Sequence, residues 1–95
     1  MKEAGGLYKA VVDGVSGRYA EVDTNREVVT LRDTTGQAVW SSNIAKRLET
    51  NSNSRVSGRK ITGLRMYKGD LWVELGRGYA VIDVKTGELK GTASN

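Results

Sequence analysis

The chain has 95 residues, with 15 Lys or Arg against 11 Asp or Glu, a net charge of +4, twelve Gly, and no Cys, His, Pro or Phe. That length holds one domain at most, with a thin core. The missing Cys and His exclude disulfides, thiol nucleophiles, Cys/His metal sites, histidine bases and Ser-His-Asp triads.

In chain order, the first strand is expected over 7–12, followed by the turn Asp13-Gly14-Val15-Ser16-Gly17. A second runs 18–23 into a tight Thr24-Asn25 turn, and a third, rich in β-branched residues, runs 27–32. Asp33-Thr34-Thr35-Gly36 turns into a fourth over 37–41, which carries Trp40. The turns recur about every ten residues, the rhythm of an all-β meander.

Residues 43–50 break that rhythm. Ser42 or Asn43 can cap a short helix whose Ile44 and Leu48 share one face. Residues 51–58 are polar and predict a loop and hinge between halves. Strands resume over 60–67, 71–75 and 79–84, closed by Lys68-Gly69-Asp70, Gly76-Arg77-Gly78 and Lys85-Thr86-Gly87. Residues 88–90 add a stub, and the remainder is expected to fray.

The expectation is therefore a single all-β domain over 1–95. It has about seven antiparallel strands in a meander, arranged as two blade-like sheets or a small barrel, with one short helix near 43–50. No stretch resembles a signal peptide or a membrane span, so a soluble, cytoplasmic protein without a membrane partner is expected, and a virion-borne one would look the same.

Alternation in Leu71-Trp72-Val73-Glu74-Leu75 sets Trp72 and Glu74 opposite the three aliphatic residues. Tyr79-Ala80-Val81-Ile82 is apolar on both faces, which suits a central strand. A pattern also repeats: Tyr19-Ala20-Glu21-Val22-Asp23 matches Tyr79-Ala80-Val81-Ile82-Asp83 sixty positions later.

The stretch Ile61-Thr62-Gly63-Leu64, Lys68-Gly69-Asp70-Leu71-Trp72-Val73, Gly78-Tyr79-Ala80-Val81-Ile82-Asp83 and Thr86-Gly87-Glu88 resembles one blade of a β-propeller, of the two-component-regulator and pyrroloquinoline-quinone types. The likeness lies mainly in 60–88 and is worn over 17–40. It implies an architecture and no activity. A ring needs about four blades, so the resemblance implies either several copies assembling or an independent meander or barrel with the same grammar, and the latter is favoured. The sixty-residue offset also exceeds a blade period of about forty to fifty residues.

Asp23, Asp33 and Asp83 are placed to bond backbone amides of turns. Asp70 and Glu74 share a strand face, and solvation explains them more simply than a carboxylate pair does. Gly76-Arg77-Gly78 opens no helix and so lacks the amides of a phosphate loop. Tyr19 and Tyr79, matched by the repeat, are expected in the core, and Trp72 is either core or an anchor for a partner.

Charge is uneven. Residues 1–50 are balanced, seven against seven, while 51–95 hold eight basic and four acidic residues. No acid lies between Thr50 and Gly69, where Arg55, Arg59, Lys60, Arg65 and Lys68 fall. With Tyr67 and Trp72, these residues form the candidate contact surface for a partner or for nucleic acid. A solvated, charge-blunted edge is the plainer account.

The sequence thus favours a non-enzymatic protein–protein interaction or assembly module, without cofactor or metal, whose partner is itself in a homo-oligomer or another protein. Small size and the lack of motifs suit a phage or mobile-element origin. The alternative is a nucleic-acid-binding β-domain using the 55–68 window.

Overall fold

The computed structural model describes residues 9–50 and 60–94. Eight strands and one helix follow in order: β1 (Lys9–Asp13), β2 (Arg18–Val22), β3 (Val28–Arg32), β4 (Ala38–Asn43), α1 (Ile44–Thr50), β5 (Gly63–Tyr67), β6 (Asp70–Glu74), β7 (Gly78–Ile82) and β8 (Leu89–Ser94). They form two antiparallel four-stranded sheets, ordered β1-β2-β3-β4 and β5-β6-β7-β8. The all-β meander holds, with eight strands where about seven were expected, and of the two arrangements expected it takes that of two sheets and not a barrel. The stub and tail together are β8, which pairs with β7 from Leu89 to Ser94. The expected hinge at 51–58 lies outside the described residues.

Asp residues set the turns. The Asp23 carboxylate accepts from the amides of Glu27 and Val28 at 2.8 and 3.0 Å. Asp33 accepts from the amides of Thr35 and Gln37 and from the Thr35 hydroxyl, and Asp83 accepts from the Lys85 amide at 2.8 Å. Each bond satisfies a donor that the hairpin would otherwise leave unpaired.

Helix α1 is fixed at both levels. The Asn43 side chain caps it by accepting from the Lys46 amide at 3.0 Å. Ile44 and Leu48, one turn apart, are fully buried in a core that also takes Ala20, Val22 and Val29 from the first sheet and Leu71, Val73, Ala80 and Ile82 from the second. At about 1.5–3 kcal/mol for each large aliphatic side chain buried, this shared core holds the sheets together.

Trp40 pins the junction. Its indole N–H donates to the Val84 carbonyl at 2.9 Å, and its ring lies where a side chain on Gly87 would stand, 2.7 Å from the position of a Cβ.

The two sheets repeat one another, though not at the offset the sequence suggests. Asp33 and Asp83 both follow the third strand of their sheet. Both donate their amide back across the turn, to Gln37 and Glu88, and in both hairpins a bulge lies one step before the Asp, at Leu31/Arg32 and at Val81/Ile82. The offset is therefore 83 − 33 = 50 residues. Tyr19–Asp23 lies instead on the second strand of the first sheet, and Tyr79–Asp83 on the third of the second. Four strands end at an Asp or just before one, so a strand-then-Asp match can slip by one strand.

This register fixes which faces correspond. With Arg32 in the place of Ile82, the pairings put Leu31 in the place of Val81, Val29 of Tyr79, Ala20 of Trp72 and Val22 of Glu74. The first-sheet members, Ala20, Val22, Val29 and Leu31, are buried. Conversely, Tyr19, Glu21, Thr30 and Arg32 hold the places of Leu71, Val73, Ala80 and Ile82, which are the core of the second sheet. The sheets thus stack in the same sense, face onto back, with β1 beside β5.

Candidate interaction face

The face of the second sheet turned away from the core gathers aromatic side chains. Trp72, on β6, lies opposite Arg65 of β5 and Val81 of β7, with Tyr67 and Tyr79 on the diagonals. The ring centroids of Tyr67 and Trp72 are 5.7 Å apart with planes at 88°, and those of Trp72 and Tyr79 are 5.4 Å apart at 69°. Both pairs meet edge to face, the arrangement the ring quadrupole favours. Arg65, Tyr67, Trp72 and Tyr79 line a shallow open groove of about 180 Å³.

Strand pairing and one tight turn build this cluster. Lys68 and Gly69 form a two-residue hairpin loop with φ of 52° and 84°, the left-handed pair that matches strand twist. Gly suits that conformation, whereas Lys68 adopts it at some strain. The loop carries the Lys68 ammonium to 5.4 Å from the centre of the Tyr67 ring.

Two ion pairs lie on the rim. Arg65 Nε donates to Glu74 Oε2 at 3.1 Å, with the Glu74 carboxylate lying over Gly63. Lys90 Nζ donates to Asp70 Oδ1 at 2.9 Å, and this bond raises the Lys90 pKa. Asp70 and Glu74 therefore share a face as expected, and each is paired with a cation and not with the other. Among the described residues no group of three or more His, Cys, Asp or Glu is placed to hold a metal ion.

The structure brings together Arg65, Tyr67, Lys68 and Trp72 from the basic window. It sets Lys60 apart, because that ammonium bonds Glu27, in the turn between β2 and β3, at 2.7 Å. Arg55 and Arg59 lie outside the described residues. Tyr79 is a correction: it stands half-buried on the outer face, not in the core, because its partner by register is Val29 and not Tyr19. Tyr19 is likewise half-buried on the outer face of the first sheet, with Lys9 Nζ 5.3 Å from its ring centre. Two-residue alternation carried from Trp72 across one antiparallel pairing would have placed Tyr79 and Val81 beside it.

Trp72 is half-buried on this outer face. Its indole N–H is buried and has no hydrogen-bond partner among the described residues, while part of the ring faces solvent. Tyr67 is 52% exposed.

Comparison with protein-family models, with curated proteins and with solved structures finds no match. Among the described residues no helix is long and apolar enough to cross a membrane.

Proposed function

We propose that this protein is a non-enzymatic assembly module that binds other copies of itself through the outer face of its second sheet. One observation carries this: the Trp72–Tyr79–Val81 face is open, although its counterpart in the first sheet, Ala20–Val29–Leu31, is buried under a neighbouring sheet. Aromatic residues beside Arg are the usual energetic centres of protein interfaces. A mass measurement by light scattering across a range of concentrations tests it. The expected result is a defined multiple of the chain mass, lowered by Tyr67→Glu. A monomer at every concentration refutes it.

The blade resemblance fits the same proposal. Two four-stranded meanders stacked in one sense at a fifty-residue offset suit a blade period of about forty to fifty residues, and two such sheets need further copies to close a ring.

A second function is supported by Lys68 over the Tyr67 ring and Arg65 beside Trp72. Stacking groups flanked by cations suit single-stranded nucleic acid. Retention on single-stranded DNA that falls steeply with salt, and further with Arg65→Glu and Lys68→Glu together, is the expected sign.

A further inference from the structure

We infer that the copies join head to tail, the outer face of the second sheet of one chain covering the outer face of the first sheet of the next. This rests on the assembly proposed above and adds its geometry.

One such junction already lies inside the molecule. Passing from the first sheet to the second carries β1 to β5 and buries one side of every four-stranded meander against the opposite side of its successor. Repeating that step from the second sheet places a new β1 against the outer side of β5. The faces left open are the two that the step would join: the end of the stack that bears Trp72 and Tyr79, and the end that bears Tyr19 and Val11. Two ends of unlike composition give a heterologous contact, which propagates until it closes.

The chemistry of the two faces agrees. By register Val11 holds the place of Met66, a residue that packs against the core at the internal junction. Val11 is 67% exposed, and Tyr67, on the receiving side, is 52% exposed. The polar groups of the first sheet's outer face are already bonded to each other. Arg32 Nε donates to Glu21 Oε2 at 3.0 Å, and the Thr30 and Ser41 hydroxyls meet at 2.6 Å. Arg65 and Glu74 are paired in the same manner opposite them. Covering these faces therefore strands few polar groups, the condition under which such a contact is favourable.

The test uses two variants, Tyr67→Glu on one face and Val11→Glu on the other. Both positions are exposed enough to accept the change, and circular dichroism checks that each still folds. Arg65→Glu and Lys9→Glu, also exposed, form a second pair. Light scattering of the wild type should give two or more copies, since two chains already supply the four sheets of the smallest ring, and each variant alone should fall to one. An equimolar mixture of Tyr67→Glu with Val11→Glu should return a two-copy complex, because each contributes the one face it has kept. If Val11→Glu retains the wild-type mass while Tyr67→Glu alone dissociates, the contact is symmetric between second sheets. Head-to-tail joining is then overturned while assembly stands. A wild type that is monomeric throughout overturns both.

Discussion

The two sheets of this protein share their strand order and the Asp turn and bulge of their third hairpin, yet they treat their outer faces differently. The first sheet pairs Glu21 with Arg32 and Thr30 with Ser41 by hydrogen bonds between part-buried side chains, with Thr30 itself buried. The second sets Tyr67, Trp72 and Tyr79 in edge-to-face contact with Val81 beside them. Their inner faces meet in one core, where Ala20, Val22 and Val29 with Trp40 lie against Leu71, Val73, Ala80 and Ile82. Equivalent backbone positions thus carry opposite chemistry, and what decides a residue's fate is which neighbour covers its sheet.

That comparison breaks most visibly at Leu71 and Tyr19, which hold the same place in the two meanders. Leu71→Ala empties a fully buried site and should cost about 2–5 kcal/mol of unfolding free energy. Tyr19→Ala removes a half-buried ring from an open face and should cost about 1 kcal/mol or less. Urea denaturation of both variants measures the gap. Equal losses would mean that the outer face of the first sheet is covered in the isolated chain and that the two sheets do not differ in this respect.

A smaller gap separates the matched turn glycines. Gly36 and Gly87 have φ of 90° and 80°, so alanine is strained at either. Beyond Gly36 there is nothing within 4 Å, whereas a Cβ on Gly87 would stand 2.7 Å from the Trp40 ring. Gly36→Ala should cost about 1–2 kcal/mol from backbone strain alone. Gly87→Ala should cost about 1–3 kcal/mol more, since the ring must move and its bond to the Val84 carbonyl loosens. Thermal unfolding of the pair checks the order. Equal costs would show that Trp40 gives way freely and does not pin the sheets.

Much of this was legible in the sequence. Ten-residue turn spacing gave the meander, Asn43 with Ile44 and Leu48 gave the helix, and the alternation around Trp72 set it on the face opposite Leu71 and Val73. Strand β8 was legible only at its start, as the stub at 88–90, because Leu89-Lys90-Gly91-Thr92 has a central Gly and weak local preference for a strand. Pairing with β7 makes it one, and such non-local hydrogen bonding leaves no trace in composition. Lys60 looked like part of a basic patch because its neighbours in sequence are basic, whereas its partner, Glu27, is 33 residues away. Tyr79 was missed because the Tyr-Ala match joins unlike strands.

The smallest expected effect is a difference in how the sheets respond to pH. In the first sheet, the Val15 amide bonded to Asp13 and the Thr35 hydroxyl bonded to Asp33 are the main causes that hold these carboxyls below 3.8. A lowered pKa in the folded state means stability that is complete above 3.8 and lost as pH falls through the folded value. In the second sheet, the bond to Asp70 raises Lys90 above 10.5. Its contribution is complete below 10.5 and lost as pH rises through the folded value. Acid should therefore loosen the first sheet's turns, and alkali the β6–β8 edge of the second. All three groups are exposed, so the effects are small and are read best as differences between variants. Asp33→Asn should flatten the acid limb of the urea midpoint against pH and leave the alkaline limb unchanged, and Lys90→Met should do the reverse. An acid limb that survives in Asp33→Asn and Asp13→Asn combined would assign that limb to other carboxylates and remove this distinction between the sheets.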